Sequence, residues 1–160
     1  MSLPLQTSEN IKLTACLREE RDTLQQCVEL LDREQQLLIG GDIDALADLT
    51  QQKISALELA ARNTSARERC LTGRGLSADN DGMSELLQDQ PALRSMWYDI
   101  LNRAKEARDL NRVNGFLIEA RIDRNHHALA VMHQVANSAF TYGNDGHLQH
   151  AMPVRALGVG

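Results

Sequence analysis

Apolar residues recur at spacings of three and four along this chain, which is the pattern of helices that pack side by side. The first such stretch has leucines at intervals of seven residues, at Leu17, Leu24, Leu31 and Leu38. The spacings between them are filled by Leu13, Cys27 and Val28. We predict a first helix from Thr7 or Ser8 to Ile39, with residues 18–22 and 32–34 on its solvated face.

A second helix is predicted after the Gly40-Gly41 pair, which ends the first helix. Asp42 is suited to cap its N-terminus, and the helix is expected to end near Cys70. Its apolar positions are expected to be core positions: Ile43, Leu46, Leu49, Ile54, Leu57 and Ala61. Because the connection is so short, the two helices must form an antiparallel hairpin.

A third, much longer helix is predicted from Pro91 to Ala139, after a loop over 73–82 and a short helix over 83–88. Its heptad positions are Trp97, Ala104, Asn111, Ile118, Asn125, Met132 and Ala139. A helix of that length can lie along the hairpin and extend beyond it. The predicted fold is all-α: an elongated antiparallel bundle of an N-terminal hairpin and one very long C-terminal helix, with more than about 70 % helix against the usual third.

Polar residues interrupt the apolar seam of the long helix. Asn111, Asn114 and Asn125 occupy seam positions, where an amide fixes register if it finds a partner. Gly115 is unfavourable inside a helix unless another backbone comes close. We expect Asn111 and Asn114 to face another helix, Asn114 or Asn125 to bond to a polar group there, and Gly115 to mark a close approach.

The helical part is predicted to form one domain over residues 1–140, followed by a turn and tail over 141–160. Tyr142 begins a glycine-rich turn, Tyr-Gly-Asn-Asp-Gly. The tail after it carries Leu148 and other apolar residues without a clear period. Such a segment is either disordered or orders on a partner.

Composition excludes several classes of function. The net charge of −5 among 160 residues does not suit a nucleic-acid-binding protein. No signal sequence and no apolar run of membrane-spanning length is present, so we expect a cytosolic protein that does not insert into membranes. The three cysteines form no CxxC pair, and no phosphate-binding loop or other cofactor motif occurs.

One pair of residues could belong to a metal-dependent enzyme. Asp123 and His126 stand three positions apart on the long helix, as in half of a di-iron site. The second half-site is missing, because no histidine precedes residue 126. We therefore predict no catalytic residues, no metal ligands and no enzyme activity, and keep a metal-binding bundle only as a distant alternative.

The long helix carries motifs that resemble those of a known family. They are Trp-x-x-Ile-Leu at 97–101, Arg-Asp-Leu-Asn-x-x-Asn-Gly-x-Leu-Ile-Glu at 108–119, Ile-x-Arg-Asn-x-x-Ala-Leu at 122–129 and Tyr-Gly-Asn-Asp-Gly at 142–146. Their order and spacing resemble the FlgN family of flagellar export chaperones.

The resemblance implies a chaperone that holds hook–filament junction proteins in the cytosol and delivers them to the flagellar type III export gate. Its C-terminal part would bind the amphipathic terminal helices of that cargo, in helix-in-groove fashion. The cargo-binding candidates are Leu129, Met132, Val135, Phe140 and Leu148. Tyr142 would dock on the cytosolic domain of the export gate. A structural coiled coil that acts only by self-association, as a homo-oligomer, remains the main alternative.

Overall fold

The computed structural model describes the backbone of residues 3–141 and the side chains of residues 10–137. About nine-tenths of the described residues are helical, and no strand occurs among them. The prediction of an all-α fold with a helical hairpin and a long C-terminal helix is confirmed. The chain divides into two compact units between Leu117 and Ile118. The predicted domain boundary at residue 140 stays a prediction.

Four helices occupy the described backbone: α1 Leu3–Gly40, α2 Ile43–Thr72, α3 Asn80–Leu86 and α4 Pro91–Thr141. The turn between α1 and α2 lies at the predicted glycine pair, where Gly41 adopts a φ of 84°, a region that favours glycine. Asp42 caps α2 as predicted, because its Oδ1 accepts a 3.0 Å hydrogen bond from the backbone N–H of Ala45. The helix boundaries agree with the prediction to within five residues.

The short helix α3 begins three residues earlier than predicted because Asp79 caps it. Oδ1 of Asp79 accepts hydrogen bonds from the Ser77 hydroxyl at 2.6 Å and from the Gly82 backbone N–H at 3.0 Å. These two bonds favour the carboxylate and lower the pKa of Asp79. Trp97 Nε1 donates a 2.9 Å hydrogen bond to Asn80 Oδ1, which connects the start of α3 to α4.

The core of the first unit is built mainly from aliphatic side chains. One cluster draws on all four helices: Leu13, Leu17, Leu71, Met83, Leu87, Leu93, Trp97 and Ile100. Leu87, the C-cap of α3, is completely buried in this cluster although it lies outside the helix. A smaller cluster joins α1 to α4 through Val28, Leu31 and Ala107. The larger cluster excludes water by packing branched and thioether groups around a single tryptophan, and the smaller one is wholly aliphatic, in agreement with the low aromatic content.

Contacts between distant residues give the directions of the helices in the first unit. Along α1, Glu20 pairs with Arg67 and Glu34 pairs with Lys53, so α2 runs antiparallel to α1. Along α4, Trp97 lies in the cluster of Leu17, whereas later residues of α4 contact later residues of α1. The first part of α4 is therefore parallel to α1, as the up-down-up order of a three-helix bundle requires.

The prediction that all apolar residues of α2 lie in the core is wrong. Only Leu49 is buried and Leu46 is half-buried. Four other predicted core residues are exposed: Ile43, Ile54, Leu57 and Ala61. The inner face of α2 carries Lys53, Asn63 and Arg67 instead, because the facing side of α1 presents carboxylates and a hydroxyl that need these partners.

Glu20 and Glu34 were predicted on the solvated face of α1, and the structure corrects this. The two residues are only 2 % and 3 % exposed. They stand fourteen positions apart and fill the seam between the heptad leucines, so the heptad register already contained the signal for their burial. The prediction missed this burial because charged residues surround both glutamates in the sequence.

The buried face of α4 departs from the predicted heptad seam at Asn111. Up to Ala107 the buried positions follow the prediction, with Trp97, Ile100 and Ala107 inside. One turn later the half-buried position is Leu110, and the predicted seam residue Asn111 is exposed. The residues buried on this face keep heptad spacing from Ile100 through Ala107 to Asn114, so the departure is confined to one position of the seam.

Candidate functional site

A buried polar layer in the first unit is built around Glu34 of α1. Its Oε1 accepts a 2.6 Å bond from Lys53 Nζ of α2, and its Oε2 accepts a 2.7 Å bond from Asn114 Nδ2 of α4. The same amide nitrogen donates to the backbone oxygen of Leu31 at 2.8 Å. Three helices therefore meet at one carboxylate, and the pairing can be satisfied in only one register.

A second polar layer lies two heptads earlier on α1. Glu20 accepts a 2.9 Å bond from Arg67 Nε with one oxygen and a 2.9 Å bond from the Thr64 hydroxyl with the other. The guanidinium carbon of Arg67 stands 4.6 Å from the ring centroid of Trp97, close enough for a cation–π contact. This layer again joins α1, α2 and α4, and both layers are structural in character.

The predicted seam residues of α4 have different environments. Asn114 is 1 % exposed and bonds to α1, as expected of it. The expectation for Asn111 is wrong, because its side chain is exposed; Asn125 in the second unit is exposed as well. The close approach expected at Gly115 is also absent among the described residues, because a Cβ built there would meet nothing within 4 Å. Of the three seam asparagines, Asn114 is the one that is buried and bonded to another helix, and it therefore sets the register between α4 and α1.

The second unit contains an exposed amphipathic stripe on α4. Every side chain from Ile122 to Asn137 is exposed. Five exposed apolar residues of this unit share one face of α4 and are named the C-terminal stripe: Ile118, Ile122, Leu129, Met132 and Ala136, with Asn125 on the same face between Ile122 and Leu129. Met132 is 67 % exposed and Leu129 54 %, far beyond what a core leucine shows. An exposed apolar stripe of this kind is typical of a surface for another helix.

The predicted cargo-binding residues are partly described. Leu129 and Met132 lie on the C-terminal stripe, and Val135 lies beside it at 61 % exposure. Phe140 is within α4, but its side chain is outside the described residues, as are Tyr142 and Leu148 entirely. Their roles stay predictions.

The surroundings of the C-terminal stripe are almost free of fixed charge. From Asn125 to Asn137 the sequence has no Asp, Glu, Lys or Arg. Earlier in this unit Glu119 and Asp123 are balanced by Arg121 and Arg124. The stripe therefore offers an apolar surface with little electrostatic selectivity, suited to the apolar face of a partner helix.

The first unit carries a second exposed apolar row, on α2, and four of its five members were predicted to lie in the core. We name it the α2 row: Ile43, Ala47, Ile54, Leu57 and Ala61. Its larger members are 41–62 % exposed. The signal that could have found it is the run of polar residues at the neighbouring positions of α2, which compete for the inner face.

Two other kinds of site are absent from the described part of the chain. Within residues 10–137, no group of three or more His, Cys, Asp and Glu side chains is placed to hold a metal ion, and Asp123 and His126 are exposed. None of the helices in the described part of the chain is long and apolar enough to cross a membrane.

The sequence is similar to those of known proteins from one family. The family described as FlgN protein matches residues 9–150. The flagella synthesis protein FlgN of Yersinia enterocolitica is 32 % identical over 142 residues, which cover 88 % of this chain and 91 % of that protein. The protein of the same name from Proteus mirabilis is 31 % identical over 125 residues, which cover 77 % of this chain and 80 % of that protein. The one from Salmonella typhimurium is 31 % identical over 139 residues, which cover 84 % of this chain and 89 % of that protein. No solved structure matches the chain significantly. The match covers most of the chain, and the chain belongs to the FlgN family.

Proposed function

We propose that this protein is a cytoplasmic export chaperone for flagellum assembly. It binds the C-terminal amphipathic helices of hook–filament junction proteins, prevents their premature assembly, and delivers them to the gate of the flagellar type III secretion system. It acts by binding and not by catalysis. Its membership of the FlgN family, together with relatives named flagella synthesis proteins, supports a role in building the flagellum.

The observation that carries the proposal is the exposure of the C-terminal stripe. Ile122, Leu129 and Met132 present about half or more of their surface to solvent on one face of α4. Removing apolar surface from water is favourable at about 25 cal/mol per Å². A cargo helix that polymerises through its own apolar face has the complementary surface, so each helix covers the other until export.

Export-gate docking is proposed for Tyr142, which follows the last residue of α4. A tyrosine anchors well in a partner pocket because it offers a large amphipathic ring with few rotatable bonds. Tyr142→Ala is expected to weaken binding of the gate's cytosolic domain about thirty-fold or more, the equivalent of about 2 kcal/mol, without changing cargo affinity. Equal affinity of both proteins for the gate would refute the docking role.

The test of cargo binding is a titration with C-terminal peptides of junction proteins, monitored by calorimetry. Leu129→Asn and Met132→Asn each place an amide on the C-terminal stripe, and each is expected to weaken binding by tenfold or more, about 1.4 kcal/mol. Val131→Asn is the matched control, because Val131 is 45 % exposed on the same helix but lies on a different face. It should leave the affinity unchanged.

A further variant distinguishes the two exposed surfaces. Leu57→Asn alters the α2 row, where Leu57 is 41 % exposed. If this variant loses cargo and Leu129→Asn does not, the cargo surface lies on the first unit and the proposal is wrong in its site.

Self-association through the C-terminal stripe is the second candidate function, and Asn125 favours it. An amide within an apolar stripe restricts the register and number of helices in a coiled coil. Sedimentation over a range of concentrations separates the two functions. A stable homo-oligomer that dissociates on Leu129→Asn, with no cargo affinity in wild type, would favour the structural role.

A further inference from the structure

Two ion pairs between α1 and α2 lie two heptads apart on each helix. Glu20 pairs with Arg67 at 2.9 Å. Fourteen positions later on α1 and fourteen earlier on α2, Glu34 pairs with Lys53 at 2.6 Å. In an antiparallel pair of helices with a heptad seam, a step of seven forward on one helix and seven backward on the other leads to the next facing pair. The two ion pairs show that the rule holds along this hairpin.

The same rule brings two cysteines opposite each other. Asn63 Nδ2 donates a 2.9 Å hydrogen bond to Thr23 Oγ1. Cys16 stands seven positions before Thr23 on α1, and Cys70 stands seven positions after Asn63 on α2. One heptad toward the open end of the hairpin, the hydroxyl–amide pair is therefore replaced by a pair of thiols.

The surroundings of both thiols agree with this placement. Cys70 packs against the core cluster that contains Leu13 and Leu17, two residues of α1 within three positions of Cys16. Burial, followed by the charges of Glu20, Cys70 and Glu19, raises the pKa of Cys16, and Arg67 opposes them. Both residues are half-buried, so small oxidants can reach them.

The third cysteine provides an internal control. Cys27 is 1 % exposed, and its pKa is raised by burial. A step of seven from the Glu20–Arg67 pair places Ala60 opposite Cys27. It has no thiol facing it across the seam.

We propose that Cys16 and Cys70 form a reversible disulfide that fastens α1 to α2, with a low-molecular-weight disulfide such as glutathione disulfide as the oxidant. One cysteine thiolate attacks a sulfur of glutathione disulfide, forms a mixed disulfide and releases one glutathione thiolate. The other cysteine thiolate attacks the protein sulfur of the mixed disulfide and releases the second. The protein loses two electrons and two protons, and both glutathione molecules leave as thiols.

The test is to incubate the full chain with glutathione disulfide, alkylate the unfolded protein with N-ethylmaleimide and measure its intact mass. Wild type has three cysteines. After oxidation only one is expected to accept the reagent, with the mass lowered by two hydrogen atoms. Trypsin should release residues 13–18 joined to residues 70–74, whereas residues 22–33, with Cys27, should carry the alkyl group. Cys27→Ser must form the same bond.

Cys16→Ser and Cys70→Ser provide the second measurement. Neither can form the cross-link, so the rise in thermal midpoint expected on oxidation of wild type should be absent from both and should disappear from wild type with dithiothreitol. Three alkylated cysteines in oxidised wild type, a bond that involves Cys27, or covalent dimers as the main product would overturn the proposal.

Discussion

Asn114 of α4 donates a 2.7 Å hydrogen bond to the buried carboxylate of Glu34 on α1, although the two residues are 80 positions apart in the chain. Glu34 is held from the other side by Lys53 of α2. A carboxylate in the interior is tolerated only when charge and hydrogen bonds are supplied together. Lys53 of α2 supplies the charge and Asn114 of α4 supplies a hydrogen bond, so Glu34 sets the alignment of all three long helices.

Removing the amide of Asn114 should destabilise the first unit. In Asn114→Ala, Glu34 loses one of its two side-chain donors while remaining buried, which is expected to lower the free energy of unfolding by about 1–3 kcal/mol. Asn111→Ala is the matched control, because Asn111 is exposed one turn away and should change it by less than about 0.5 kcal/mol. Urea titrations followed by circular dichroism measure both. Equal effects would mean that Asn114 has no special role in stability.

The buried pair of Arg67 and Glu20 gives a larger and more specific prediction. Arg67→Met leaves Glu20 charged and buried, and should cost about 3–5 kcal/mol. Adding Glu20→Leu to it should recover most of that loss, because no unpaired charge remains. By contrast, breaking the exposed pair of Glu58 and Arg62 should cost about 0.5 kcal/mol or less. A double variant less stable than Arg67→Met would contradict this account.

Two glycines should respond in opposite directions to alanine. Gly115→Ala meets nothing within 4 Å and should stabilise α4 by about 0.5–1 kcal/mol through lower chain entropy. Gly82→Ala would push a methyl group into the backbone oxygen of Ser77 and should destabilise the start of α3. Since Asn80 bonds to Trp97, tryptophan fluorescence during urea unfolding reports that loss directly. Loss of stability in Gly115→Ala would reveal a close contact made by a partner or a second copy.

The cap of α3 predicts part of the response to acid. Because the pKa of Asp79 is lowered in the folded state, its contribution to stability is complete above the ordinary value of 3.8 and is lost as the pH falls through the lower folded value. Asp79→Asn keeps an acceptor at the cap but cannot titrate. Its stability should therefore be close to wild type at pH 7 and should fall less than that of wild type between pH 5 and acid pH. Parallel losses would show that Asp79 does not contribute to the acid response.

The periodicity of the sequence alone determined the number and type of the long helices. Strict heptads of leucine in α1, the Gly-Gly pair with Asp42, and Pro91 before α4 are local signals, and each acts through the backbone of its own segment. The exposed stripe around Leu129 and Met132 could also be predicted. The apolar residues of α4 continue beyond the length that the two hairpin helices can cover, so those near its C-terminus were expected to be exposed.

Only the tertiary structure decided which residues of each helix face inward. Apolar residues of α2 such as Ile54 and Leu57 lie outside, because Lys53 and Arg67 must reach carboxylates on α1. Asn114 rather than Asn111 is buried because Asn114 faces α1, where the Glu34 carboxylate and the Leu31 carbonyl accept its hydrogen bonds. Both outcomes depend on what another helix presents at the same level. A spacing rule applied to one helix at a time contains no information about that partner.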